Sequence, residues 1–412
     1  MNKHCHRLRV RAVVLWTLLL LVPGWTTSGA AVRLGADLLI ERHLGELQGH
    51  RIGIVTNQTG RLSSGTSLVD TLIGSGVDVV ALFGPEHGIR GEGSAGQKIG
   101  DARDQRTGLP VYSLYGTTRK PTPEMLRSID LLLYDIQDVG ARFYTYISTM
   151  GLVMDAAAEN GIPIIVLDRP NPLGGHLIDG PILDDSLRSF VGMYPIPVVY
   201  GMTCGELARM INGEIWLASG RRAQLKVIAM EGWTRDMTWE LTGLPWVRPS
   251  PNIPDPATAL IYPATCFIEA TNLSEGRGTP TPFQHFGAPF VSSVRLTQLL
   301  NDLGIPGVTF APAVFTPKSS KNANHTCYGS RISVTHRDQL LPARIGLWIL
   351  RLLMENWRDE VKVNAASLKR LLGSVSTVSM LMEGVSIEKI TMSWEQDLER
   401  FRQRSQEYYL YP

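Results

Sequence analysis

The sequence predicts an α/β fold: a doubly wound, Rossmann-like N-terminal domain followed by a smaller α/β or α+β C-terminal domain. Three observations carry this expectation. Short, almost wholly apolar runs alternate with helical stretches through residues 51–168, the pattern of parallel strands covered by helices on both faces. Each run stops at polar or ionisable residues, as strands do when their carboxyl ends open onto a ligand-binding edge. A chain of 412 residues, 44% hydrophobic and 19% charged, has ordinary globular composition, but it exceeds what one core normally organises.

The first strand is expected over residues 51–56, closed by Asn57-Gln-Thr-Gly60. Residues 67–73 read as a helix leading into a second apolar run at 77–83. Further β-prone runs follow at 109–113, 129–135 and 162–168, with a helix over 145–160 between the last two. Thr203, three residues before Glu206, fits a capping box for a helix that includes 207–211, so Glu206 reads as a cap before it reads as a catalyst. The remainder alternates helical stretches at 296–303 and 343–357 with β-prone runs at 307–310 and 330–335. Its Trp and Tyr residues read as core.

Chemistry concentrates where the strands end. The groups are Asn57; Glu86 with His87; Asp135 with Gln137 and Asp138; and Asp168 with Arg169 and Asn171. Any one of them fits a turn or cap, but such groups after all four of these strands point to one shared rim. The densest stretch is FGPEHGIRGE at 83–92, which sets Glu86, His87, Arg90 and Glu92 in a glycine-rich loop. A proline-stiffened segment, 249–254, carries Asn252 and leads towards Glu269, Asn272, Glu275 and Arg277. Rigidly held loops of this kind commonly supply the wall of a cleft.

Several classes are excluded or weak. No G-x-G-x-x-G follows the first strand and no G-x-x-x-x-G-K-[ST] occurs anywhere, so the backbone cradle for a nucleotide is missing and no cofactor is expected. Ser386-Ile-Glu-Lys389 matches S-x-x-K, but without its companion motifs it reads as chance. His87, Asp135 and Asp168 lack metal-ligand spacing, so no metal is expected.

Residues 1–30 combine Lys3, Arg7, Arg9 and Arg11, an apolar segment at 12–22 and a small-residue end at Ser28-Gly-Ala30. That is the form of a secretory signal peptide, and the segment is too short for an easy crossing of ~30 Å of hydrocarbon. The expected location is exported, periplasmic or secreted, with no membrane attachment after leader removal. Without the leader, 36 basic residues face 38 acidic ones, and a near-neutral surface gives no electrostatic reason to seek nucleic acid. Cys204, Cys266 and Cys327 remain, too few and too scattered for a disulfide framework.

Five segments carry a resemblance: FGPEHGIRGE at 83–92, DIQDVGARFYTYISTM at 135–150, LDRPNPLGG at 167–175, SPNIP at 250–254 and EATNLSEGRGT at 269–279. Together they resemble the NamZ-type exo-β-N-acetylmuramidase family, once called DUF1343 and numbered glycoside hydrolase family 171. The resemblance runs from about residue 34 to the C-terminus. It implies a Rossmann-like domain at 31–260, a smaller domain at 261–412 and a cleft between them. It also implies release of terminal, non-reducing N-acetylmuramic acid from peptidoglycan fragments, with glutamates of the first domain as catalysts. The alternative is a non-catalytic exported protein that binds wall fragments.

Matching positions are Glu86 and Glu92 as catalytic groups, and Glu269, Glu275 and Arg277 in the later motif. Arg142 and Tyr144 join the expected binding residues through the second motif. Glu86, stiffened by Pro85, is expected to be the general acid, and Glu92, between glycines, to support the anomeric centre or a water. One of Arg90, Arg142, Arg169 or Arg277 is expected to hold the lactyl carboxylate that sets muramic acid apart from glucosamine. One departure stands out: the family's usual H-G-M-T reads Tyr200-Gly-Met-Thr203 here.

Overall fold

Seven strands form the main sheet in the computed structural model, which describes residues 31–91 and 102–412. They are β1 (Ile52–Thr56), β2 (Val79–Gly84), β3 (Ala102–Arg103), β4 (Pro110–Ser113), β5 (Leu131–Asp135), β6 (Ile164–Leu167) and, after a separate ribbon of β7 (Ile178–Asp179) and β8 (Val199–Tyr200), β9 (Leu225–Ile228). Their order is β3-β4-β2-β1-β5-β6-β9, all parallel except the β3–β4 pair. The chain winds outward from β1 to β4 and then jumps back to β5 on the other side of β1. The carboxyl ends of β1, β2 and β5 therefore meet at the switch point, where such sheets bind ligands.

Why the strands are so apolar is visible in their packing. Ile52, Ile54, Leu131, Leu133, Ile165 and Leu167 fill the core on one face of the sheet. Val55, Phe83, Leu132, Tyr134, Ile164 and Val166 fill it on the other. Alternate side chains point to opposite faces, and with both faces covered neither set is polar. The helix Leu68–Gly74 starts where the Ser67 hydroxyl accepts the Asp70 amide at 3.4 Å. The helix Tyr146–Asn160 ends at Gly161 in the left-handed conformation, the usual glycine stop.

The second lobe is of α+β type. Strands β10 (His285–Ala288), β11 (Val308–Phe315) and β12 (Cys327–Val334) form an antiparallel sheet in the order β10-β12-β11, flanked by the helices Ser293–Asp302 and Pro342–Asn356. The helix Pro256–Thr265 runs through residue 260 without a break, and residues 31–412 form one compact unit. Ser386 caps the helix Ile387–Met392 by accepting the Lys389 amide, which gives the S-x-x-K match a structural role. Among the described residues, no helix is long and apolar enough to cross a membrane.

The last residues return to the first lobe. The Tyr411 hydroxyl donates to Asp168 and accepts the Met230 amide at 2.9 Å. The Arg235 guanidinium lies 3.4 Å from the centroid of the Tyr409 ring, and its amide donates to the Pro412 carbonyl at 3.0 Å. The Leu410 amide donates to Glu206 at 2.9 Å.

Candidate active site

The end of β2 opens directly onto a cleft of about 390 Å³, within the range that suits small ligands. After Gly84 and Pro85, Glu86 enters the cleft and His87 turns the chain with φ +74°. A non-glycine residue in this region costs about 1–3 kcal/mol and persists where its surroundings enforce it, commonly at functional sites. The Thr145 hydroxyl donates to Glu86 Oε2 at 3.3 Å, at the start of the helix Tyr146–Asn160. The Tyr115 phenol also hydrogen-bonds Glu86, and burial together with the Glu86 charge raises its pKa, so Tyr115 stays a donor.

The floor is aromatic. Tyr144 packs edge-on against Tyr146, with centroids 4.8 Å apart, and against Tyr262 at 6.0 Å. Tyr262 meets Phe143 at 5.3 Å and Phe283 at 4.8 Å. Such faces suit the apolar side of a pyranose ring. Ser250 and Asn252 line the cleft from the proline-rich segment. That segment is pinned by the Tyr146 hydroxyl donating to the Pro249 carbonyl at 2.6 Å and by Gln58 donating to the Arg248 carbonyl at 2.8 Å.

Glu269 and Arg277 line the cleft from the second lobe. Arg277 donates to Glu269 Oε1 through Nη2 at 2.6 Å and Nε at 3.1 Å. Burial works against the Arg277 charge, but Glu269 and Glu275 outweigh it and raise its pKa. Cys266 also borders the cleft. Burial pushes its thiol well above the usual range, so it is no nucleophile.

Of the expected site residues, the structure brings Glu86, His87, Tyr144, Asn252, Glu269 and Arg277 to the cleft. Glu92 lies outside the described residues. The other expected residues serve as framework. Asn57 closes the turn after β1 by accepting the Thr59 amide at 2.9 Å. Asp135 and Arg169 form a buried two-point ion pair at 2.6 and 2.9 Å. Asp168 accepts from Thr203, the Gly205 amide and Tyr411. Neither Asp135 nor Asp168 is free to join His87 at a metal.

Asn171 donates to the Met202 carbonyl at 2.9 Å, and Gly140 passes so close that a β-carbon there would sit 2.4 Å from its Oδ1. Arg90 is held by Asp104 at 2.8 and 3.0 Å. Glu275 is buried between Arg277 at 3.3 Å and Lys321 at 2.9 Å. Arg142 is fully buried and donates to the carbonyls of Pro181, Ile196, Leu371 and Leu372 at 2.7–3.1 Å. Buried polar groups must be paired, and these partners leave little for a ligand. Glu206 is the cap it was expected to be, tied also to Arg235 at 2.7 Å.

Sequence reasoning missed Tyr115, Arg119, Phe190, Tyr262 and Arg370, all at the cleft. Tyr115 follows β4 by two residues but brings no charge to mark the boundary, Arg119, Phe190 and Arg370 follow no apolar run, and Tyr262 lies inside the helix Pro256–Thr265.

Tyr200 is also away from the cleft. It is wholly buried and donates its hydroxyl to Asp138, which accepts the Gly140 amide at 2.7 Å as well. The departure from the family pattern therefore bears on a buried pair beneath the 136–145 loop. Burial pushes the Asp138 carboxyl up to about 6, above the ordinary ~3.9. With the folded-state pKa raised, the stability this group contributes is present below about pH 4 and lost as pH rises through about 6. Asp138→Asn stays neutral and still accepts from Tyr200. Relative to the natural chain it should gain up to ~2–3 kcal/mol between about pH 4 and pH 7. Denaturation midpoints across that range check this, and a pH-independent difference would remove Asp138 as the cause.

A doubly wound sheet joined to an antiparallel lobe, with glutamates entering an aromatic cleft from both, defines a two-lobed α/β protein with a carboxylate-bearing site. The chain belongs to the NamZ family: residues 52–257 match "Exo-beta-N-acetylmuramidase NamZ, N-terminal" and residues 260–411 match its C-terminal counterpart. It is 46% identical over 388 residues to the peptidoglycan β-N-acetylmuramidase NamZ of Bacillus subtilis strain 168, covering 94% of this chain and 93% of that protein. A crystal structure of a DUF1343 family protein from Bacteroides fragilis NCTC 9343 superposes with a TM-score of 0.87 at 40% identity, covering 93% of this chain and 99% of the other. A second from the same organism gives 0.74 at 35% identity, covering 92% and 99%.

Proposed function

We propose that this chain is an exo-acting glycoside hydrolase that releases terminal, non-reducing N-acetylmuramic acid from peptidoglycan fragments. The observation that carries the reading is Glu86, delivered into an aromatic cleft by the end of β2 and oriented by Thr145 and Tyr115. Glycosidic cleavage needs a carboxyl group to protonate the leaving oxygen, and Glu86 has that role here. Glu269, paired with Arg277 at 2.6 Å, accepts hydrogen bonds from sugar hydroxyls on the opposite wall. The family membership supplies the substrate class. The direct test is release of the chromophore from an aryl β-N-acetylmuramide and of muramic acid from the disaccharide. No release above the level of Glu86→Gln would favour a glycan-binding protein instead.

Residues 1–30 act in this reading as a leader removed on export, with residues 31–260 carrying the catalyst and 261–412 completing the cleft. Intact-mass measurement of protein recovered outside the cytoplasm should give an N-terminus near Ala31 or Val32. A retained leader would overturn the assignment of residues 1–30 as a cleaved segment.

A further inference from the structure

If the substrate is a muramide, as proposed above, some cation in the cleft must receive its lactyl carboxylate, and the four arginines singled out from sequence are engaged elsewhere. Arg90 is paired with Asp104, Arg169 with Asp135, Arg277 with Glu269, and Arg142 is consumed by four carbonyls. Arg119 lines the cleft and is exposed. Among the described residues no carboxylate forms an ion pair with it. Its guanidinium carbon lies 4.5 Å from the centroid of the Phe190 ring. The Phe190 ring is 6.2 Å from that of Tyr115, and the Tyr115 phenol hydrogen-bonds Glu86.

We propose that Arg119 is the specificity-determining residue of the cleft, receiving the substrate's lactyl carboxylate while Phe190 holds the guanidinium plane. A guanidinium resting on an aromatic face keeps its edge N–H groups directed outward, which suits two parallel hydrogen bonds to a carboxylate. The contiguous series Arg119, Phe190, Tyr115 and Glu86 sets this cation beside the proton donor. That matches a substrate whose lactyl ether and scissile bond sit on C3 and C1 of one sugar ring. Arg370 is the rival at the same cleft, but its guanidinium donates to Ser367 on its own helix at 3.0 Å and has no such link to Glu86.

The test compares the natural chain with Arg119→Ala, Arg119→Lys and Arg370→Ala on three aryl glycosides: the β-N-acetylmuramide, its lactyl methyl ester and the β-N-acetylglucosaminide. Loss of a charge-assisted pair should lower kcat/KM of Arg119→Ala on the muramide by about 10- to 150-fold, mainly through KM. The ester and the glucosaminide should change little, and Lys should restore part of the loss. Equal losses on all three substrates, an unchanged muramide preference, or transfer of the effect to Arg370→Ala would each overturn the assignment. Calorimetric binding of free N-acetylmuramic acid and N-acetylglucosamine reads the same selectivity without turnover. An inactive natural chain that still prefers the muramic acid through Arg119 would sink the hydrolase reading and leave this one standing. Loss of that preference in Arg119→Ala is the supporting result; equal binding of both sugars is the opposing one.

Discussion

Glu86→Gln is expected to lower kcat/KM on the natural muramic acid disaccharide by roughly 10²- to 10⁴-fold, the usual worth of a positioned acid. The same variant should retain much of its activity on an aryl muramide with a good leaving group, which hardly needs protonation. The amide is nearly isosteric with the carboxyl and can still accept from Thr145, which lies 3.3 Å from Oε2, so the fold should be undisturbed. Parallel assays on the two substrates check the assignment. If both activities fall together, Glu86 is acting at the anomeric centre or in binding rather than as the acid.

Arg142→Met should have the largest effect on stability. The guanidinium joins carbonyls at Pro181 and Ile196 in the first lobe to those of Leu371 and Leu372 at the end of a second-lobe helix. Burial lowers its pKa to about 9, which still leaves it charged at neutral pH. Gly373 admits it, because a β-carbon there would stand 2.2 Å from Nη2. Methionine fills part of the volume but takes the donor from the carbonyls of Pro181, Leu371 and Leu372, while Ile196 keeps the Leu183 amide; each buried acceptor left unpaired costs about 1–3 kcal/mol. The denaturation midpoint of the variant should fall accordingly. A change under about 1 kcal/mol would show that the carbonyls find other partners.

How far the site could be read from sequence follows from what each residue does to the local pattern. Glu86 and His87 interrupt an apolar strand at a Gly-Pro step, and Glu269 and Arg277 sit in a polar stretch after a rigid segment, so they were legible. Asp135, Asp168, Asn57 and Asn171 give the same signal at strand ends, yet they cap turns and brace loops under the floor. A carboxylate facing a ligand and one facing a backbone amide look alike in sequence. Arg119 and Phe190 come from loops with no such boundary, and only the fold brings them beside Tyr115. The central parallel strands β1, β2, β5 and β6 were readable because burial on both faces leaves polar residues only at their ends, and β4, half-buried throughout, was readable from its β-prone Pro-Val-Tyr run. Strand β9, Leu225–Ile228, was missed because it lies at the sheet edge, partly exposed and interrupted by Lys226.

The closing contact at Asp168 also sets an order of events. Its hydroxyl donor on Tyr411 lies 243 positions further along the chain, while β1 to β6 can pair as soon as their own residues are available. A ribosome-bound chain can thus assemble the parallel sheet early. It cannot complete the hydrogen bonds around Asp168, or give Glu206 its bond from Leu410, until the second lobe has been made and has folded back. The first lobe spends synthesis as an unfinished intermediate with a buried carboxylate short of one partner. Chains interrupted between β9 and residue 409 should therefore be recognised by proteases as incomplete, although every strand of the main sheet is present.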